Sequence, residues 1–243
     1  MLSIIIPTLN EEDYLPRLLE SLKKQNYKDY EIIVADAGSK DTTLQIARSY
    51  NCLVVKGGLP GMGRNSGARV AKGDILLFLD SDTELPHKKF IENALKIFKK
   101  NKLDIAVFPI DIRGGKAVDR LAVAIWNSWI EMMKKVSAYG MCAFLVKNKV
   151  HKAMGGFDES VIFAEDQEYV SRMGKKYKLG IIKDPILIST RRYDKDGRLQ
   201  TYLKYLTAEM HILFLGPIKS DIIKYKFGHY KEEEKSKKKK LKK

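Results

Sequence analysis

Five consecutive apolar residues, Ile75-Leu76-Leu77-Phe78-Leu79, run straight into Asp80-Ser81-Asp82 and then Thr83-Glu84-Leu85-Pro86. A run that is apolar at every position, not at alternate ones, reads as a strand buried on both faces, the pattern of a parallel sheet covered by helices. Such a chain must supply helices for both sides of its sheet. Here it also delivers two carboxylates at the carboxyl end of the strand, where open α/β sheets bind their ligands. Two acids so close repel each other unless a cation joins them. Hard oxygen donors suit Mg²⁺ or Mn²⁺, and a metal held by few protein ligands completes its shell with substrate phosphates. Asp and Ser are also ordinary turn residues, so the triplet carries weight only with its surroundings.

Those surroundings alternate between the two periods. Leu2–Ile6, Glu31–Ala35, Leu53–Val55 and Asp74–Leu79 read as strands. Between them Glu11–Lys24 carries a helical stripe at Tyr14, Leu15, Leu18, Leu19 and Leu22, with Asn10 as its expected N-cap. Thr42–Tyr50 and Asn65–Ala71 are further helices, the first capped by Asp41, and Pro86–Lys100 opens with proline. This order predicts a doubly wound, mostly parallel sheet. After Leu103 the pattern loosens. Strands are expected at Asp104–Pro109, Gly140–Val146, Leu179–Ile182 and Ile186–Ser189. Helices are expected at Ala117–Val136, Lys147–Met154, Phe163–Lys176, Leu199–Leu215 and Ile218–Phe227. No Gly/Ser-rich linker divides the chain. One α/β domain over 1–230 is expected, with a ligand-binding half at 1–102, a second half at 103–198 and C-terminal helices at 199–230.

Length, 243 residues, and an apolar content of 44% suffice for one large core. No apolar run approaches the ~20 residues that span a bilayer, and the N-terminus lacks the basic region of a signal peptide, so a cytoplasmic location is expected. Cys52 and Cys142 read as reduced core thiols and form no metal motif. Much of the net charge of +15 sits in 231–243, which holds eight lysines and three glutamates and is expected to be disordered. A basic chain invites a nucleic-acid reading, but no finger, RNP or KH signature supports it. An anionic membrane surface is the alternative partner for that tail.

The turn after the first strand, Pro7-Thr8-Leu9-Asn10-Glu11-Glu12, has neither a dinucleotide fingerprint nor a P-loop. Glu11 or Thr8 can reach a ribose hydroxyl there. Asp36, at the end of the second strand, can accept from a ring N–H of a nucleobase. The ordered set of segments resembles the family-2 glycosyltransferases of the GT-A fold. It comprises Ser3–Glu12, Glu31–Ser39 with Asp41-Thr42, Gly63-Arg64-Asn65-Ser66-Gly67, Ala71–Asp82, Gly155-Gly156-Phe157-Asp158-Glu159 and Glu165-Asp166. It covers residues 3 to about 172 in the family's order.

The resemblance implies a GT-A-like sheet with an acceptor-side subdomain, and it implies roles. Pro7, Thr8, Glu11 and Asp36 would hold the nucleoside of a UDP- or GDP-sugar. Arg64 would lie near the diphosphate or base. Asp80 would reach ribose or metal, Asp82 would ligate the metal, Mg²⁺ or Mn²⁺, and Ser81 between them would belong to the donor site. Gly155 and Gly156 would let the backbone approach the acceptor, and Asp166 would be the base of an inverting transfer to a glycan or lipid-linked hydroxyl. Two departures stand out. Ala37 replaces the second acid often found after strand two. Where some members place a metal-binding histidine, this chain has Ser189-Thr190-Arg191-Arg192, and Arg191 is suited to bidentate contact with phosphate. A polyprenyl-phosphate sugar synthase would share the donor half but generally lacks the Gly-Gly-Phe-Asp-Glu segment and the Glu-Asp pair. A non-catalytic basic nucleotide- or nucleic-acid-binding module is disfavoured by the acids. The helix with Trp126 and Trp129 reads first as core, with a lipid-facing surface as the alternative.

Overall fold

The computed structural model describes residues 1–133 and 142–223. The first half follows the alternation closely: β1 (Leu2–Thr8), α1 (Leu15–Lys23), β2 (Tyr30–Asp36), α2 (Thr43–Ser49), β3 (Leu53–Lys56), α3 (Pro60–Val70) and β4 (Ile75–Leu79). A short β5 (Thr83–Glu84) follows the acidic triplet, then α4 (Phe90–Lys100), β6 (Ile105–Val107), β7 (Ile110–Ile112) and α5 (Ala117–Met133). The remainder is β8 (Ala143–Lys147), α6 (Asn148–Ala153), α7 (Glu165–Gly174), β9 (Leu179–Ile181), β10 (Ile186–Ile188), α8 (Arg191–Lys195) and α9 (Arg198–Leu215).

Among the described residues the main sheet has seven strands in the order β3-β2-β1-β4-β8-β6-β9, and a second sheet has three, β5-β10-β7. β1, β2, β3 and β4 pair in parallel, whereas β8 runs antiparallel to both β4 and β6. β4 shows why its sequence is apolar throughout. Leu77 and Leu79 join a core with α1, α2 and α4 on one face, while Leu76 and Phe78 join α3, α6 and α7 on the other. Phe78, Phe144, Phe157 and Tyr169 form an aromatic cluster there, with Phe157 and Tyr169 stacked at 4.0 Å. Burying each such side chain stabilises the fold by about 1.5–3 kcal/mol.

Several boundaries differ from expectation, each for a local reason. α1 begins at Leu15, not at Glu11, and Asn10 is not its cap. Asn10 sits at φ 57° in a loop, and Glu11 is drawn away by Arg191. α3 starts at Pro60, before the expected Asn65, despite three glycines in its sequence. The glycines are needed for contact with the sheet: a Cβ on Gly67 would stand 2.5 Å from Ile5 Cγ2, and one on Gly63 3.3 Å from Pro7 Cβ. α4 starts at Phe90 and α7 at Glu165, each later than expected. The expected strand Asp104–Pro109 is realised as the shorter β6, and β7, just beyond it and not expected, belongs to the second sheet. Ile218 forms an antiparallel bridge with Phe163 and does not open a helix. Residues 219–223 form bend and turn and no helix, while 224–227 of that expected helix, the tail at 231–243 and the end of the Trp-bearing helix lie outside the described residues. Cys52 and Cys142 are both free thiols, as expected. No helix among the described residues is long and apolar enough to cross a membrane.

Candidate active site

The carboxyl ends of β1, β2 and β4 meet the start of α7 and the turn after β10, and each brings a charged side chain. The Asp80–Thr83 turn is held by Thr83, whose N–H and hydroxyl both donate to the Asp80 carbonyl at 3.2 and 2.7 Å. The Asp80 N–H donates to Cys142 O, and Ser189 N–H donates to Asp82 O. The triplet is thereby tied to β8 on one side and to β10 on the other.

Arg64 lies at the centre with 2% of its side chain exposed. Its Nη2 donates to Asp80 Oδ1 at 2.6 Å, and its Nη1 donates to Glu165. Burial alone would lower its proton affinity, but Asp80 and Glu165 outweigh that and raise it. Arg64, whose expected place is near the diphosphate or base, is enclosed between two carboxylates and links the metal-type turn to the helix that carries Asp166.

Arg191 makes the second link. Its Nη1 and Nη2 donate to the two oxygens of Glu11 at 2.6 and 2.8 Å, its Nε donates to Asp82 Oδ2 at 3.0 Å, and its guanidinium lies 4.4 Å from the centre of the Tyr14 ring. Tyr14 therefore caps the guanidinium, whereas its spacing had placed it in the apolar stripe of α1. Burial pushes the Glu11 carboxyl up, partly offset by Arg191 and by a hydrogen bond from Ser81. Asp36 is also satisfied internally: it accepts from Thr8 Oγ1, Gly38 N, Ser39 N and Ser39 Oγ at 2.5–3.0 Å. Pro7 forms the end of β1 beside Gly63 of α3. Asp41 caps α2 by accepting from Thr43 N.

Gly155 and Gly156 both have positive φ, 72° and 75°. A Cβ on Gly156 would meet Asn65 Oδ1 at 2.5 Å, so this glycine admits Asn65, which also accepts from Phe157 N and donates to Phe157 O.

The electrostatics of the cleft are dominated by acid. Burial pushes the Asp80 carboxyl up to about 7; Arg64 opposes the shift, and the charges of Asp82, Asp166 and Glu165 add to it. Burial and the neighbouring Glu165 push Asp166 up to about 6. Asp80 is thus the acid on which the charges of Asp82, Asp166 and Glu165 all act. Arg64 sits on Asp80 Oδ1 and Arg191 on Asp82 Oδ2. Carboxylate oxygens of two acids two residues apart are hard donors of the kind a divalent cation takes. No group of three His, Cys, Asp or Glu side chains able to hold a metal occurs among the described residues, so a cation here would depend on substrate oxygens as well.

Residues 3–161 match the sequence profile of Glycosyl transferase family 2. The chain belongs to this family. It is 29% identical over 187 residues to the poly(ribitol-phosphate) beta-N-acetylglucosaminyltransferase TarS of Staphylococcus aureus, covering 70% of this chain and 32% of TarS. The chain thus spans about a third of that relative's length. A crystal structure of S. aureus TarS 1-349 with UDP-GlcNAc superposes with a TM-score of 0.65 at 22% identity, over 86% of this chain and 66% of the other. The mannosyltransferase PcManGT of Pyrobaculum calidifontis, in complex with GDP-Man and Mn²⁺, gives 0.62 at 19% identity, over 86% and 64%. The fold is that of the GT-A glycosyltransferases, as the sequence resemblance implied.

Glu165 and Tyr14 are the site residues that sequence reasoning placed wrongly or held in reserve. Glu165 enters the sequence reading only as the neighbour of Asp166 in a family segment, yet it neutralises Arg64. Its one signal was its position beside Asp166 at a helix start, where acids are common anyway.

Proposed function

We propose that the chain transfers a sugar from a nucleoside-diphosphate donor to a hydroxyl acceptor, with inversion at the anomeric carbon and a divalent cation at the donor. The observation that carries this reading is the shared acid space of Asp80, Asp82 and Asp166, two of which hold their protons far above the usual carboxylate range. Such a cleft repels a diphosphate unless a cation intervenes. Asp80 and Asp82 would hold Mg²⁺ or Mn²⁺ through the oxygens that Arg64 and Arg191 do not take, and that ion, when bound, offsets the charge growing on the leaving diphosphate. Pro7, Thr8, Glu11 and Asp36 line the nucleoside end, with Ser81 beside Glu11. Arg191 stands between the nucleoside and phosphate positions, suited to pair with phosphate oxygens when the donor arrives. Arg64 positions Asp80 and does not touch the donor.

Asp166 accepts the proton of the attacking hydroxyl. The hydroxyl oxygen bonds to the anomeric carbon as the bond from that carbon to the diphosphate breaks, and the electron pair leaves with the phosphate oxygen. A carboxyl titrating near 6 is ionised at neutral pH and more basic than an ordinary one, the balance a general base needs. The donor complexes of the two neighbours, with UDP-GlcNAc and with GDP-Man and Mn²⁺, support a UDP- or GDP-sugar as donor. Residues 1–102 would form the nucleotide half and 103–198 the acceptor half. The acceptor is a glycan or a lipid-linked hydroxyl, and peripheral contact with an anionic membrane at the cytoplasmic face accords with the second. The test is thermal melting with UDP or GDP, with and without Mn²⁺. Nucleotide is expected to raise the melting temperature only with the metal, and Asp82→Ala to abolish that gain while leaving the unliganded melting temperature near wild type. A nucleotide effect indifferent to metal would overturn the reading.

A further inference from the structure

We propose that the outer faces of α5 and α9 form a docking surface for an anionic lipid bilayer, which presents the acceptor to the site. The claim about the acceptor rests on the transfer reading above; the claim about the surface stands on the two helices.

Both helices carry two apolar stripes where a surface helix has one. α5 buries Val123 and Ile130, and α9 buries Ala208 against Phe163, Ile218 and Ile223. On the opposite side α5 exposes Val118, Leu121, Ile125, Trp129 and Met132, and α9 exposes Leu199, Leu203, Leu206, Met210 and Leu213. Steps of three and four hold each set to one face. Twelve of the eighteen large apolar side chains exposed among the described residues lie on these two helices. Single exposed apolar residues are ordinary, but a contiguous patch marks a contact. The helices also start side by side, because Asp119 of α5 accepts from Arg198 and Tyr202 of α9 at 2.8–2.9 Å.

Two features select a bilayer as the occupant. α9 ends in Leu213-Phe214-Leu215, exposed by 58%, 72% and 76%. Three successive residues point round most of the helix, which one packed partner helix cannot cover and acyl chains can. Charge is the second. Exposed Lys116 and Arg120 lie at the start of α5. In sequence, residues 224–243 hold ten lysines and three glutamates. An apolar helix face with basic side chains at its margin, on a chain whose sequence also holds a lysine-rich segment, is the chemistry that anionic headgroups attract. The inner side of α9 reaches the site: Gln167, next to Asp166, donates to Glu209 at 3.1 Å. A bilayer on the outer face therefore lies one helix away from the proposed base.

Co-sedimentation tests this with the full chain and vesicles of phosphatidylcholine, alone or with phosphatidylglycerol. The wild type is expected to bind the anionic vesicles about tenfold or more tightly than the neutral ones, less so at high salt. Leu206→Glu with Leu213→Glu, and separately Leu121→Glu with Ile125→Glu, are expected to weaken binding by about tenfold or more without changing the circular dichroism. Leu53→Glu, on β3, is the control and should bind as the wild type does. Absence of wild-type binding, or equal binding by the paired variants, would overturn the proposal. So would a dimer in solution that the same variants dissociate without any vesicle binding, which would assign the face to a second copy. The metal-dependent nucleotide shift is read separately, so loss of either result leaves the other standing.

Discussion

The two sides of this molecule solve opposite problems. The sheet ends of β1, β2 and β4 bury charge and satisfy it internally: Arg64 between Asp80 and Glu165, Arg191 between Glu11 and Asp82, Asp36 within four donors. The helices α5 and α9 leave apolar surface open and bury little polar, the Asp119–Arg198–Tyr202 group excepted. Breaking one partner of a buried charge set strands the other, a cost that exposed apolar side chains never incur. Function and fragility should therefore coincide at the sheet ends, while the outer helices tolerate change.

The strongest way to break this contrast is Asp166→Asn. It preserves shape and hydrogen bonding but removes the basic group, so turnover is expected to fall by roughly 10²–10⁴ with the nucleotide thermal shift intact. In the wild type the rate should fall as pH drops through about 6, where Asp166 gains its proton. A variant with wild-type kcat would move the base elsewhere, Glu165 being the first alternative.

Arg64→Met is next. It leaves Asp80 and Glu165 facing each other without their cation, and removing one partner of a buried pair costs about 3–5 kcal/mol. Urea unfolding reads this directly; a loss below 1 kcal/mol would show the cleft to be far wetter than its burial implies.

His151 offers a pH-dependent version of the same comparison. It is buried, its Nδ1 lies 2.8 Å from Tyr169 OH, and burial depresses its pKa to about 4. Because the folded value is below the unfolded value of about 6.5, the unfolded chain takes the proton first. Stability from this group is full above about 6.5 and is lost as pH falls towards 4, by at most ~3 kcal/mol. His151→Gln should lose that part of the slope, measured as the difference between unfolding curves at pH 7 and pH 4.5.

Gly67→Ala tests packing without charge. Its Cβ would clash with Ile5, at 2.5 Å, and a cost of about 1–3 kcal/mol is expected from overpacking. The smallest effect belongs to the other side: Leu206→Gln on α9 should shift stability by no more than about 0.5 kcal/mol. A large loss there would mean that the outer stripe already packs within the chain.

What the sequence made legible follows the same division. β1, β2 and β4 were readable because strands buried on both faces are apolar throughout, and the acids were readable because they terminate those strands. The partner of each acid was not. Arg191 meets Glu11 across 180 positions of sequence, and no local pattern encodes so distant a pairing. α3 was missed at its start because its glycines argue against a helix by propensity, whereas contact with Ile5 and Pro7 requires them. β7 was hidden for a similar reason: it has three residues, one of them the exposed Asp111, and only its pairing with β10 identifies it as a strand.

β8 lies between β4 and β6, so the strand that completes the edge of β4 comes 64 residues after its end, at Ala143 against Leu79. A ribosome that has released the first hundred residues has therefore delivered β4 with one rim of amides and carbonyls unpaired, on the most apolar strand of the chain. Such an edge is a template for intermolecular pairing. A fragment ending near Lys102 should consequently precipitate as it is made, and the gene is better divided after Lys147 than at the seam its alternating pattern advertises.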